Sequence, residues 1–283
     1  MGNESQTVIR ASSLPQYMDC ARRSAIRLFP ADILGAGYSV SITKPSIGAL
    51  IGTATHRVLE VSLRASMTGE SIPDFEQMQR IAADDLTAAT ANGVIWDDTT
   101  TRLEVGIKQV ARQADKAWEL VGSLMKPIAV EEEFSANMGD GFVLRGHIDV
   151  REPVKLGDWK TGNVQRANMA QYGAYSLLAR SNGITGIEVL QEIYIERKGI
   201  TKPQPDPIIT EYDVADSEEY AMAVARRMKA DLTTFRETRD ANAFLPNPNS
   251  MMCTPDYCPA WGTEFCKAHK TKMEKSELVE SIV

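Results

Sequence analysis

Apolar residues recur at helical spacing along two stretches of the chain and at strand spacing along the stretch between them, so the chain predicts a mixed α/β fold. Over 47–67, Leu50, Ile51, Ala54, Val58, Leu59 and Leu63 fall on one helical stripe, while His56 and Glu60, four apart, share another face. Residues 70–126 predict two or more further helices, broken near Asn92-Gly93 and Asp97-Asp98, with Leu103, Ile107, Val110, Ala114 and Trp118 along a buried stripe. From Pro127 the period shortens. Residues 128–134, 142–150 and 154–159 read as strands separated by Gly-Asp-Gly and Arg-Glu-Pro turns. Helix returns over 168–180, strand over 186–196, and a long helix over 216–238. Near the start, Ser12-Ser13 reads as the cap of a helix that carries Cys20, and 30–46, rich in Gly, Pro and Ser, reads as loop. Pro246, Pro248 and Pro255 keep the tail from Phe244 irregular. The expected architecture is a mixed central sheet flanked by helices, one domain over 1–283 with a helical insert at 68–126.

Composition narrows the partners. No run approaches the roughly 18 to 20 consecutive apolar residues of a membrane helix, and Met1–Arg10 lacks the apolar run of a signal peptide, which predicts a cytoplasmic protein with no membrane partner. A net charge of −7 argues against a protein that coats nucleic acid non-specifically. Local basic groups remain: Arg22, Arg23 and Arg27 near Cys20; Arg226, Arg227 and Lys229 on the late helix; Lys267, Lys270, Lys272 and Lys275 past Cys266. Asp84, Asp85, Asp97 and Asp98 read as exposed surface, and His147 and His269 as a strand residue and a surface residue.

Candidate chemistry collects on the short strands. Asp158 and Lys160 flank Trp159 near a strand end, and alternation sends both side chains to one face. A hairpin turning at 151–153 places Asp149 beside Asp158, so two carboxylates converge. Oxygen donors of this kind suit Mg²⁺ or Mn²⁺, and an imidazole from His56 shifts the preference towards Mn²⁺. A lone Asp-x-Lys is commonly a surface ion pair, so the motif acquires meaning only with its neighbours.

Four cysteines, Cys20, Cys253, Cys258 and Cys266, lie at the two ends of the chain. In a reducing compartment they point to metal before disulfides. Four thiolates satisfy either tetrahedral zinc or a cubane cluster, and spacing alone does not choose between them.

The order of the signatures adds to this. Gly52-Thr53-Ala54-Thr55-His56-Arg57-Val58-Leu59-Glu60, Val130-Glu131-Glu132-Glu133-Phe134, Gly146-His147-Ile148-Asp149, Gly157-Asp158-Trp159-Lys160-Thr161-Gly162 and Gln171-Tyr172-Gly173-Ala174-Tyr175 together resemble the RecB-like branch of the PD-(D/E)XK nuclease superfamily. The resemblance implies a restriction-endonuclease-like sheet. It implies a metal held by His56, Asp149, Asp158 and the main-chain carbonyl of Trp159, with Lys160 beside the attacking water. Among the glutamates it favours Glu131 as the further catalytic carboxylate, with Glu133 on the same strand face. Gln171 and Tyr175 match a Q-x3-Y signature that supports the site and contacts nucleic acid, and Arg22 and Arg23 would guide a phosphate backbone. The cysteines look like the [4Fe-4S] ligand set of such nucleases, which include the nuclease of CRISPR adaptation and subunits of helicase–nuclease complexes. This favours a cluster over zinc and makes 1–29 and 246–283 its binding termini. Here the tail spacing is C-x4-C-x7-C, wider than the common arrangement, and Trp159 stands where the family usually has Tyr.

The expected activity is therefore a divalent-metal-dependent DNA exonuclease acting on single strands or strand ends, in recombination, repair or phage DNA processing. No G-x4-G-K-[ST] motif is present, so unwinding would fall to a helicase partner. A CRISPR-adaptation-type nuclease shares every motif quoted. A non-catalytic DNA-binding subunit is the rival from another class, and the intact set of His56, Asp149, Asp158 and Lys160 argues against it.

Overall fold

The computed structural model describes residues 6–268. The expectations for Lys270, Lys272, Lys275 and His269 lie outside them. Six strands form one mixed sheet: β1 (Thr7–Arg10), β2 (Ala129–Gly139), β3 (Phe142–Arg151), β4 (Lys155–Gly162), β5 (Val189–Glu196) and β6 (Ile208–Tyr212). Helices α1 (Leu14–Asp19), α2 (Ala21–Leu28), α3 (Pro30–Gly35), α4 (Ile47–Thr68), α5 (Phe75–Thr90), α6 (Leu103–Leu120), α7 (Met169–Ser181) and α8 (Val214–Thr238) accompany it.

Two cores sit on this sheet. Ile9, Leu144, Ile148, Leu156 and Leu190 pack with α1 to α3, α7, α8 and the C-terminal tail. Val130, Val150, Trp159, Ile193 and Ile195 pack with α4, α5 and α6. The helices over 75–120 thus share a buried core with α4 and the sheet.

Register explains where the sheet opens. β2 pairs antiparallel along β3 from Ala129↔Arg151 to Gly139↔Phe142, occupying one edge of β3. The other edge is shared: β1 pairs parallel with 142–145, and β4 pairs antiparallel at Val150↔Gly157 and Arg151↔Leu156 only. Between those contacts, residues 146–149 have no ladder partner on that edge. β4 continues instead along β5, from Lys155↔Val189 to Gly162↔Glu196. Strands that part in this way leave the side chains at the fork reachable from solvent.

Local chemistry sets several boundaries. Ser46 caps α4 by accepting the Ala49 amide, and Gly69 closes it in the left-handed conformation at φ 74°. Asp74 and Gln77 form a reciprocal capping box at the start of α5. Three features depart from the sequence reading. Cys20 does not lie inside a helix: it is extended, at φ −157° and ψ 102°, between α1 and α2, and Ser13 makes no side-chain cap. Part of the expected loop over 30–46 is the short helix α3, with Pro30 at its first turn. β1 and β6 are too short to show a strand period in the sequence.

Helix α7 lies close enough to α8 that only glycine fits at the crossing. A Cβ on Gly173 would stand 1.8 Å from the Ser217 carbonyl oxygen and 2.7 Å from the Glu218 amide nitrogen, both main-chain atoms. Gly173→Ala must therefore push two helices apart, at a cost of about 3 kcal/mol. A lowered thermal midpoint in circular dichroism is the expected outcome, and an unchanged midpoint would contradict this packing.

Candidate metal and hydrolytic site

Asp149 stands at the fork of β3 and β4. Its Oδ2 accepts the Trp159 main-chain N–H at 2.8 Å, a substitute for the ladder bond the parting strands lack. The same oxygen lies 3.1 Å from His56 Nδ1. His56 reaches it because α4 packs closely on β4: Gly52, one turn earlier, faces Thr161, whose Oγ1 would meet an added Cβ at 2.6 Å.

Glu131 completes a group of three. Ligand atoms of His56, Glu131 and Asp149 all lie within 4.8 Å of one another. Glu131 sits on β2 between Val130 and Glu132, the partners of Val150 and Ile148, which sets it across from Asp149. Its φ of 53° is left-handed, an uncommon conformation for a residue with a side chain, and strain of this kind concentrates at functional sites. Asp85, expected on exposed surface, lines a cavity with Glu131, His56 and Glu60. Asp97 is likewise engaged: it binds the buried Arg197 guanidinium at 2.6 Å.

Asp158 lines an adjoining cavity together with His56 and Asp149, and its contacts differ. The Lys160 ammonium ion-pairs with its Oδ2. Gln171 Nε2 and the Tyr175 hydroxyl each donate to its Oδ1 at 3.2 Å. The tight group of ligand atoms contains Glu131 with His56 and Asp149, while Asp158 lies beside it with Lys160 at one oxygen and two neutral donors at the other. Gln171 and Tyr175 are buried behind Asp158, which bears on their supporting role more than on contact with nucleic acid. Glu133 lines the cavity of His56, Asp149 and Asp158 as well, where it faces Arg145 and His147.

Electrostatics follow from this crowding. Burial, reinforced by Asp149, pushes the Glu131 carboxyl up to about 7 against the opposing pull of His56. Burial also raises Asp158, to about 6, with Asp149 adding to the shift and Lys160 resisting it. Burial works against the Asp149 carboxylate too, but His56 overrides it and holds this group below the ordinary range. His56 is raised: burial opposes its charged form, and Asp149 outweighs burial. Lys160 is raised as well, burial being overcome by Asp158 and Asp149, so it stays an ammonium ion. Burial and the nearby Asp158 keep Tyr175 protonated and hence a donor. An imidazole and two carboxylates in close contact are donors that a hard cation accepts, and a cation would offset the crowding that raises Glu131. The donor set fits Mg²⁺ or Mn²⁺.

The four cysteines converge. Cys20, Cys253, Cys258 and Cys266 all line one cavity, and none of the four is in a disulfide. Burial first, then the other three sulfurs, raise Cys258 to about 11. The arginines beside Cys20 hold the two ends of the chain together. Arg22, 5% exposed, donates to the carbonyls of Phe244 at 3.0 Å and Ala241 at 2.7 Å and to Asn242 Oδ1 at 3.0 Å. These bonds commit Nε and Nη2 of its guanidinium to the segment 241–244. Arg23, 6% exposed, binds Asp19 at 2.7 Å and Ser250 Oγ at 3.2 Å, which leaves it little reach for a phosphate backbone. Arg27 donates to the Tyr257 carbonyl at 3.0 Å.

Sequence reasoning passed over Glu192. It pairs with Asp158 in the β4–β5 register, is fully buried, and takes hydrogen bonds from Tyr172 at 2.5 Å, Gln165 at 2.8 Å and Asn168 at 3.0 Å. A carboxylate inside the apolar run Leu190 to Ile195 was the available signal.

No known family model matches the chain, and no curated protein matches it significantly. Solved structures do. The chain is similar to a candidate exonuclease from Eubacterium rectale, at 10% identity over 87% of both chains with a TM-score of 0.51. It also overlaps LHK-Exo, solved in complex with dAMP, at 13% identity over 66% of this chain and 97% of that one, with a TM-score of 0.30. The first likeness is one of fold, and it agrees with the mixed six-stranded sheet flanked by helices. No helix among the described residues is long and apolar enough to cross a membrane.

The raised Glu131 gives a test of the site that needs no substrate. A carboxyl that titrates near 7 in the folded chain and near 4.5 unfolded binds its proton more tightly when folded, so metal-free stability falls as pH rises through that window. Glu131→Gln removes the penalty. In metal-free thermal melts the variant should match wild type near pH 4.5 and exceed it above pH 7; equal midpoints at both would mean that Glu131 is not desolvated against Asp149.

Proposed function

We propose that this chain is a divalent-metal-dependent nuclease of the RecB-like branch of the PD-(D/E)XK superfamily, hydrolysing DNA as single strands or from strand ends. The observation that carries this reading is the convergence of His56, Glu131 and Asp149 at the fork of β3 and β4, with the Asp158–Lys160 pair beside them. His56, Glu131 and Asp149 would hold Mg²⁺ or Mn²⁺, with Asp158 and the Trp159 carbonyl as further oxygen donors. When bound, the ion supplies Lewis acidity towards a phosphodiester and a lower pKa for water.

The chain's own residues do the remainder. The Trp159 amide fixes the orientation of Asp149, and Gln171 and Tyr175 fix that of Asp158. Lys160, always charged and at the cavity wall, offers its ammonium hydrogens to the incoming water oxygen and to the phosphoryl oxygens as negative charge grows on them. Water adds to phosphorus as one ester P–O bond breaks, and the proton it loses passes by way of a carboxylate or solvent to the departing oxygen, giving a phosphomonoester and an alcohol. The groups that steady the attack are thus pre-positioned by backbone and buried donors rather than by flexible loops.

We further propose that the cysteine cavity holds an iron–sulfur cluster with a structural role. Four thiolates on one cavity satisfy a cubane cluster or tetrahedral zinc. The resemblance to nucleases that carry a [4Fe-4S] cluster favours iron here. Helicase or recombination proteins would supply unwinding.

Asp158→Ala and Lys160→Ala should each lower Mn²⁺-dependent degradation of labelled single-stranded DNA by about 100-fold or more while leaving the circular dichroism spectrum unchanged. Undiminished cleavage by both would place the chemistry elsewhere. Anaerobically purified protein should be brown and carry about four irons per chain; colourless protein with one zinc per chain would reverse the cluster assignment.

A further inference from the structure

Two cavities of about 540 Å³ each meet at Lys160. One is the cavity of His56, Asp149 and Asp158. The other leads from Lys160 towards the cysteine tail, and Ser12, Lys160 and Gln171 line both, so the two form one groove. The second cleft has no part in holding a metal. One part of its wall is apolar, from Pro15, Met251 and Met252, and Met251 is 71% exposed. Arg166 also lines it. Among the described residues Arg166 has no carboxylate partner, while the acid of the cleft, Asp19, is already bound by Arg23 at 2.7 Å and by Ser250 Oγ at 2.7 Å.

Arg166 is held in place and does not ride on a free loop. Gln165 and Asn168, on either side of it, both donate to the buried Glu192, at 2.8 Å and 3.0 Å, and Asn168 also donates to the Arg166 carbonyl at 2.9 Å. A volume in the range of small-molecule sites, about 300–1,000 Å³, an exposed thioether surface and an unpaired guanidinium together suit an amphipathic ligand with a flat base and a phosphate.

We propose that this cleft is a subsite for single-stranded nucleic acid, taking a nucleotide adjacent to the scissile phosphate, with Arg166 on its phosphate and Met251 against its base. The proposal rests on the nuclease reading and names its substrate class. A duplex keeps its bases stacked inside and cannot present one to Met251, so an unpaired strand is the form that fits.

Fluorescence anisotropy of a short labelled single strand, without divalent cation so that nothing is cleaved, tests it. Arg166→Glu should weaken binding about tenfold and flatten the log–log salt dependence by about one unit. Met251→Ala should weaken it several-fold, Arg80→Glu on exposed α5 should leave it unchanged, and blunt duplex should bind less well than single strand. With Mn²⁺ present, Arg166→Glu should raise KM and leave kcat near wild type. Wild-type affinity in both the Arg166 and Met251 variants overturns the subsite and leaves the nuclease reading intact. Failure of wild type to bind single strands at all also overturns the subsite, and the nuclease reading then stands or falls by the Mn²⁺-dependent cleavage assay.

Discussion

One oxygen of Asp149 governs the geometry of the site. It accepts the Trp159 amide and faces the His56 imidazole, at the place where β3 leaves β4 after only two paired residues. The side chain therefore replaces a backbone bond. Were the two strands to stay in register, the amide would be satisfied by a carbonyl and Asp149 would be free to turn away. Because the fork needs a partner for that amide, the requirement that buried N–H groups be paired also fixes the carboxylate. His56, Glu131 and Asp158 are then positioned relative to a group that cannot easily move.

The rest of the chain keeps the fork open and supported. α4 lies on the sheet closely enough to bring His56 across, and α7 lies against α8 closely enough to back Asp158 with Gln171 and Tyr175. At the other end, α2 is tied to the tail through Arg22, which links positions more than two hundred residues apart. Closing so long a loop costs chain entropy that a few hydrogen bonds offset only in part. The convergence of four cysteines on one cavity at the same junction is consistent with a bound centre supplying the remainder.

Much of this was legible in the sequence, for physical reasons that also mark its limits. Helical and strand periods located α4 to α8 and β2 to β5 because each buries a face broad enough to impose a pattern. β1 and β6 bury too few residues to do so, and Cys20 broke a helix whose apolar spacing runs on through it. The convergence of Asp149 and Asp158 followed from the Arg-Glu-Pro turn. Which carboxylate joins His56 did not, because that depends on a left-handed φ at Glu131 that a β-prone run of three glutamates conceals. The arginines near Cys20 show a related limit: their charge gives no sign in the sequence of the main-chain carbonyls that Arg22 and Arg27 meet near the other end of the chain.

Glu131 shows what the site costs the free chain. It occupies a strained backbone conformation and is desolvated beside Asp149, two penalties that packing alone does not require. Nearby, Lys160 answers Asp158 but leaves the group of His56, Glu131 and Asp149 short of positive charge. Protonation near neutrality is the cheapest relief open to the free chain. A divalent cation held there would relieve the same repulsion more fully, and one that bound the folded chain alone would add to stability as well. Destabilisation that one bound charge removes is difficult to explain as a structural ion-pair network, whose opposite charges would already balance, and it is the physical ground for reading this cluster as a metal site.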